Sequence, residues 1–105
     1  MANLPLTEAV YYILLSLMEP MHGYGIMQNV ETLSGGRVRL AAGTLYGAIN
    51  TLLERGWITA LPGTKDSRKN EYQITDLGKE AVAAEITRRL ELLKNGRQIM
   101  GGDAQ

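Results

Sequence analysis

The sequence contains no cysteine and a single histidine among its 105 residues. Without cysteine the chain has no disulfide framework, no thiolate nucleophile and no cysteine-ligated zinc site. His22 alone offers little basis for a catalytic triad or a metal cluster. The sequence also lacks the glycine-lysine loop that grips nucleotide phosphates. These absences argue against an enzyme, and we expect no metal and no other cofactor.

Long apolar runs and an export signal are also missing. No stretch approaches the roughly 18 consecutive apolar residues that a membrane span requires. The opening Met-Ala-Asn-Leu-Pro lacks the basic region and the cleavage site of a secretory signal. We therefore expect a cytoplasmic protein with no membrane partner. At this length it should form one domain.

Charge of one sign is absent in total but not locally. The chain has 11 basic and 11 acidic residues, so its formal net charge is zero. Residues 1–36 carry −3, residues 37–69 carry +4 and residues 70–105 carry −1. A basic middle segment is typical of a surface that meets phosphates. A chance cluster on a solvated surface would give the same pattern, so charge alone decides little.

Two amphipathic helices are predicted in the acidic first third. Thr7 can cap the first helix, and Pro20 should end it. The second helix should run from about residue 23 to residue 33, where Ser34-Gly35-Gly36 breaks it. The alternation in residues 37–40 then predicts a short, half-buried strand. The apolar stripes of the two helices are Val10, Ile13, Leu14, Leu17 and Met18, and then Ile26, Val30 and Leu33.

The third predicted helix has the clearest division into two faces. Its buried stripe is Leu45, Ile49, Leu52 and Leu53, and Gly56 ends it. The opposite side, at about 100° per residue, carries small and polar residues. Those residues are Gly47, Asn50, Thr51 and Glu54, flanked by Thr44 and Tyr46. Such a face can enter the major groove of DNA without a clash.

A β-hairpin should follow the third helix. Residues 57–61 and 69–74 are rich in β-branched and aromatic residues, which favours two strands. The turn between them places Lys65, Arg68 and Lys69 at or beside its tip, where they can contact the DNA backbone. A solvated hairpin is the alternative. The order of strand, helix and basic hairpin predicts a winged helix-turn-helix.

The last helix should begin at Asp76, with Thr75 as its cap. Its apolar stripe consists of Val82, Ile86, Leu90, Leu93 and Met100, interrupted by Arg97. The later part keeps a heptad-like rhythm, which is typical of a seam shared with another helix. We expect a second copy of the chain to cover this stripe. Packing back onto the same domain is the alternative.

The fold class that follows is mainly α with a small β-wing. We expect a winged helix-turn-helix in residues 1–75 and a C-terminal dimerisation helix in residues 76–100 of the same single domain. Residues 101–105 should form a frayed tail.

Several motifs together resemble the PadR family of bacterial transcriptional regulators. The resemblance covers roughly residues 4 to 95, and the ordered set is more specific than any one motif. The motifs are Leu6-Thr7-Glu8 with Tyr12-Ile13-Leu14, His22-Gly23-Tyr24, Ala42-Gly43-Thr44-Leu45-Tyr46, the segment from Leu52 to Ile58, and the segment from Tyr72 to Gly78. The resemblance implies a homodimeric repressor, with a compact C-terminal region, that binds double-stranded DNA and is commonly released by a small aromatic or drug-like effector.

Candidate DNA contacts follow position by position. Tyr24 and Tyr46 match family tyrosines whose hydroxyls reach phosphates. Gly43 and Thr44 open the recognition helix, and Asn50 has the bidentate geometry suited to adenine. We expect His22 to orient the turn before the second helix rather than to contact DNA. The wing contacts are Lys65, Arg68 and Lys69.

The sequence also departs from the family pattern. Gly47 stands where many relatives have proline, and the last helix has no aromatic residue for stacking a flat ligand. Trp57 is expected to be buried at the start of the wing. If an effector binds, Tyr11 and Tyr12 are the candidates, although Tyr12 also suits the core. A winged-helix interaction module that has lost DNA binding remains the alternative function.

Overall fold

The computed structural model describes residues 5–62 and 70–101. Within these residues the chain forms helices and one two-stranded antiparallel sheet. The elements are α1 (Glu8–Ser16), α2 (Gly23–Leu33), α3 (Ala42–Glu54), β1 (Ile58–Ala60), β2 (Tyr72–Ile74) and α4 (Asp76–Met100). The mainly helical fold with a small sheet confirms the predicted class.

Helix α1 begins as predicted but ends early. The Thr7 hydroxyl accepts a hydrogen bond from the Val10 amide at 3.1 Å, so Thr7 is the N-cap. The helix stops at Ser16, before Pro20 is reached. The Leu17 carbonyl instead accepts from the Ile74 amide at 2.8 Å. Pro20 therefore does not set the end of α1, because the carbonyl of Leu17, the residue after the helix, is bonded to the sheet.

The predicted strand at residues 37–40 was wrong. These residues are neither helix nor strand. Val38 and Leu40 are half-buried while Arg37 and Arg39 are exposed. The alternation therefore predicted burial correctly but did not predict strand pairing. The turn between α1 and α2 pairs with β2 instead, where Met21 and Tyr72 exchange two backbone hydrogen bonds of 3.2 and 3.0 Å.

The hairpin forms, with shorter strands than predicted. Ile58 pairs with Ile74 and Ala60 with Tyr72, and the Leu61 amide extends the ladder to the Glu71 carbonyl at 2.9 Å. The expected turn tip lies outside the described residues.

Trp57 is 5% exposed, which agrees with its expected role as an anchor of the wing. Its carbonyl accepts from the Thr75 amide at 2.9 Å. A Cβ on Gly78 would overlap that carbonyl. Glycine at position 78 therefore allows the first turn of α4 to pack directly against the backbone of Trp57.

The core joins all the elements through buried apolar side chains. Most predicted stripe residues of the first three helices take part, but Met18 and Leu33 are exposed, and Val10 and Leu53 are half-buried. Met18 leaves the helical register because α1 has already ended. The buried apolar residues are Leu6, Ile13, Leu14, Leu17, Ile26, Val30, Leu45, Ile49, Leu52, Trp57, Ile58, Tyr72, Ile74, Ala81 and Val82.

Helix α4 starts on the body and then projects from it. The Thr75 hydroxyl accepts from the Gly78 amide at 3.1 Å, which confirms the predicted cap. Every residue from 89 to 100 is exposed, and the molecule measures 56 × 31 × 20 Å. Among the described helices, none is both long enough and apolar enough to cross a membrane.

A buried carboxylate fixes α4 where it leaves the body. The Glu85 side chain has no solvent exposure. It accepts a hydrogen bond from the Leu6 amide at 3.3 Å and from Arg88 at 2.7 Å, and it also pairs with Arg89. Arg89 in turn donates to the Leu6 carbonyl at 3.1 Å. These contacts lower the pKa of Glu85 from 4.5 to about 2, with the largest contribution from the Arg88 hydrogen bond and against the opposing effect of burial.

Glu85→Gln should lower the free energy of unfolding by about 3 kcal/mol near neutral pH, because two guanidinium groups lose their carboxylate. The folded-state pKa is depressed, so this deficit should be full above about pH 4.5 and should shrink as the pH falls towards 2. Urea unfolding followed by circular dichroism at several pH values measures it. Glu80→Gln, at an exposed position of α4, is the control. A deficit that does not change with pH would contradict the role of the charge.

Candidate nucleic-acid interface

The N-termini of α2 and α3 both lack a capping side chain. Their N-cap residues are His22 and Ala41, and neither side chain accepts a cap hydrogen bond. Neither helix has an acidic residue in its first turn. The amides of the first turn and the positive end of the helix dipole therefore remain available to an anion.

Tyr46 brings these two helix starts together. Its side chain lies against Gly23, where an added Cβ would overlap the hydroxyl. Tyr46 is half-buried, and it is close enough to Tyr72 to contribute, after burial, to raising the pKa of Tyr72. The hydroxyl predicted to reach a phosphate therefore lies at the first residue of α2. Glycine at position 23 provides the space for it.

The outer face of α3 is exposed as the periodicity predicted. Gly43, Thr44, Gly47 and Asn50 are all exposed, while the opposite face buries Leu45, Ile49 and Leu52. Thr51 is also exposed, but its hydroxyl donates to the Gly47 carbonyl at 3.2 Å. Gly43, Thr44 and Asn50 thus form an accessible polar surface that continues from the uncapped helix start.

Tyr24 extends this surface on α2. It is 67% exposed, and its hydroxyl oxygen accepts a hydrogen bond from Gln28 at 3.2 Å. The hydroxyl proton can still be donated to another group. His22 is exposed one residue before the helix.

Ion pairs reduce the basic charge that the sequence attributed to this region. Arg37 pairs with Glu8, which raises the pKa of Arg37, and Arg39 lies 3.4 Å from Glu31. Both partners come from the acidic first third of the chain. The positive charge left for phosphates therefore rests more heavily on the wing, whose candidates Lys65, Arg68 and Lys69 lie outside the described residues.

The candidate dimerisation residues separate into two groups. Val82 is 8% exposed and belongs to the domain's own core, so it is not available to a partner helix. The other four are exposed, and they are Ile86, Leu90, Leu93 and Met100.

The structure adds Leu92 and Ile99, both exposed, to the apolar surface of α4. At about 100° per residue they continue the face of α4 on which Ala81 and Glu85 pack against the body. Gly96 lies between them in the chain, and a Cβ added there would meet no neighbouring atom. The sequence reasoning missed this pair because it followed a single stripe from Val82.

The two effector candidates line neither the cavity between the N-terminal segment, α1 and α3 nor the one beside the end of α2. Tyr11 and Tyr12 are half-buried, with ring centroids 5.9 Å apart in an edge-to-face arrangement. Arg89 lies 5.1 Å from the centroid of the Tyr11 ring. Tyr11 therefore supports the attachment of α4.

The sequence reasoning also missed the cluster of Glu85, Arg88 and Arg89, although the spacing of these residues is that of helical ion pairs.

The comparisons with known proteins agree with this arrangement. Residues 12–84 match the family described as transcriptional regulator PadR-like. No match was found among curated protein sequences.

Several solved structures share the fold. RosR from H. salinarum is 26% identical with a TM-score of 0.67, and 94% of each chain is covered. A protein from Thermoplasma acidophilum described as a transcriptional regulator is also 26% identical, with a TM-score of 0.67 over 92% of this chain and 91% of that one. A PadR family transcriptional regulator from Eggerthella lenta is 21% identical, with a TM-score of 0.71 over 90% and 82%; this likeness shows the fold alone.

Gly23→Ala should destabilise the protein by about 1–3 kcal/mol, because the new methyl group displaces Tyr46. Adding Tyr46→Phe should recover part of this loss, since the hydroxyl is the nearest overlapping atom. Thermal unfolding of the single and double variants measures the coupling.

The matched control is Gly47→Ala, which meets no neighbouring atom and should stabilise the helix by about 0.5–1 kcal/mol. Equal losses from the two glycine substitutions would contradict the steric explanation.

Proposed function

Because the chain belongs to the PadR-like family of transcriptional regulators, we propose that it represses transcription by binding a palindromic DNA operator as a homodimer. Regulation by DNA binding is what membership of this family implies, and such regulators are not enzymes. We further propose that a small effector releases the protein from its operator.

The paired helix starts carry the proposal for DNA binding. Tyr46 packs on Gly23 and so holds the uncapped N-terminus of α2 beside the first turns of α3. Backbone amides at such ends bind phosphates. The exposed side chain of Asn50 is then one turn further along α3, where it can contact a base edge in the major groove.

The exposed apolar side of α4 supports the homodimer. Leu92, Leu93 and Ile99 are 49–85% exposed on a helix segment that has left the body. Contiguous apolar surface of this kind marks an interaction site. A symmetric pairing of two α4 helices would cover it and would place two recognition helices on one side of the dimer. The operator should then be an inverted repeat with half-site centres about 34 Å apart.

Selection from a pool of random DNA duplexes tests the function directly. The full-length protein should enrich an inverted repeat, and its affinity for the selected duplex should fall steeply with salt. Failure to enrich any sequence, or a salt-independent interaction, would overturn DNA recognition and favour the protein-interaction alternative. Enrichment of a single, unrepeated half-site would overturn the palindromic operator.

Asn50→Ala should weaken binding to the selected duplex by about 1–3 kcal/mol and relax its preference at one base pair in each half-site. Lys65→Ala should instead weaken binding to all sequences alike and reduce the salt slope by about 1 per protomer, because it removes a phosphate contact. Electrophoretic mobility shifts at several salt concentrations separate the two effects. Base preference retained by Asn50→Ala would contradict its role in recognition.

Leu93→Glu should convert the dimer to a monomer, because it places a charge on the apolar side of α4. Lys94→Glu is the matched control at the neighbouring exposed position and should remain dimeric. Analytical ultracentrifugation gives the mass, and circular dichroism verifies the helix content. A Leu93→Glu protein that stays dimeric would place the interface elsewhere.

A further inference from the structure

The cavity beside the end of α2 is an open groove of about 490 Å³. Residues of α2 and of the turn that follows it line the groove, and they are Gln28, Glu31, Thr32, Gly35 and Gly36. The lining is polar and holds none of the described candidate DNA contacts. The surface proposed to bind DNA and the apolar side of α4 therefore leave this groove without a role.

The groove continues a face of α2 that begins at a candidate DNA contact. Tyr24, Gln28 and Glu31 are all exposed, and their spacing of four and three residues puts them on one side of the helix. Gln28 donates a hydrogen bond to the Tyr24 hydroxyl at 3.2 Å. At 1.5 Å per residue, Glu31 lies about 10 Å along α2 from Tyr24. A DNA strand has one phosphate per ~3.4 Å of helix axis, so a backbone that meets Tyr24 passes the groove within a few nucleotides.

Arg39 brings a cation to this groove. Its guanidinium lies 3.4 Å from the Glu31 carboxylate, and a Cβ added to Gly36 would lie 3.8 Å from one of its terminal nitrogens. The Arg39 side chain is 74% exposed. Arg39 also precedes Ala41, the N-cap of α3, by two residues. It therefore stands between the groove and the helix start proposed to hold a phosphate.

The two ion pairs of the turn between α2 and α3 differ in their geometry. Arg37 donates two hydrogen bonds to Glu8, which raise the pKa of Arg37. Arg39 lies 3.4 Å from Glu31, which is longer than a charge-assisted hydrogen bond. An exposed pair of this kind contributes little to stability. Arg39 can therefore leave its carboxylate readily, whereas Arg37 ties the turn to α1.

We propose that Arg39 is a further contact to the DNA backbone and that Glu31 competes with the phosphate for it. In the free protein Glu31 holds the guanidinium, and in the complex a phosphate beside the groove takes its place. Glu31 then lowers the affinity for DNA, because it gives up Arg39 and stays close to the phosphates. This inference rests on the proposed function, since it adds a contact and a restraint to the same DNA-binding surface.

The salt dependence of binding tests the contact. Arg39→Ala should reduce the salt slope for the selected duplex by about 1 per protomer, because one phosphate loses its cation. Arg37→Ala removes the same side chain two positions earlier and is the matched control, which should keep the wild-type slope. Mobility shifts at several salt concentrations measure the slopes, and circular dichroism verifies the fold. An unchanged slope for Arg39→Ala, or equal reductions by both variants, would overturn the contact.

Glu31→Gln tests the competition. It should raise DNA affinity on the order of fivefold at 0.1 M salt, for the selected duplex and for an unrelated duplex alike, because phosphate contacts carry no sequence information. In the Arg39→Ala protein the same substitution should give less than about a twofold gain, since it removes only a screened repulsion. Thermal unfolding should show that the variants are as stable as the wild-type protein.

The outcomes separate this inference from the proposed function. Equal gains from Glu31→Gln with and without Arg39 would overturn the competition. A protein that enriches an inverted repeat but gains no affinity from Glu31→Gln would also overturn it, and the proposed function would stand. A protein that enriches no DNA sequence would overturn the proposed function and this inference together.

Discussion

The attachment of α4 through the buried Glu85 carboxylate governs the shape of this molecule. Glu85 has no solvent exposure and is satisfied by Arg88, Arg89 and the backbone of Leu6. An unpaired charge at this depth would be strongly destabilising, so the direction of α4 and the position of the N-terminal segment are set together.

The surface proposed to bind DNA depends on a second close contact. Tyr46 reaches from α3 to Gly23, where only a glycine leaves room for its hydroxyl. The buried face of α3 fixes the rotation of that helix, so its polar face must point outward. Together these constraints place two helix N-termini and an exposed asparagine on one surface, although the total charge of the chain is zero.

Local signals in the sequence predicted most of the helices. Thr7 and Thr75 are caps because a hydroxyl beside free amides is a short-range interaction, and the division of α3 into two faces follows from its period alone. The strand expected at residues 37–40 did not form. Alternation predicts which side chains are buried, but a strand also needs a partner strand. The free edge of β2 is already paired with Met21, in the turn between α1 and α2.

The sequence by itself determined the order of the helices and the hairpin, most of the buried stripe residues and the family, since these depend on neighbours within a few residues or on ordered motifs. Only the tertiary structure decided that Arg37 and Arg39 are paired with acids from α1 and α2, that Val82 is core, and that Leu6 is tied to Glu85 across 79 positions. Such contacts join residues that are far apart in the chain, so a periodic pattern in the sequence cannot predict which of them meet. Their geometry is decided when the whole core packs at once.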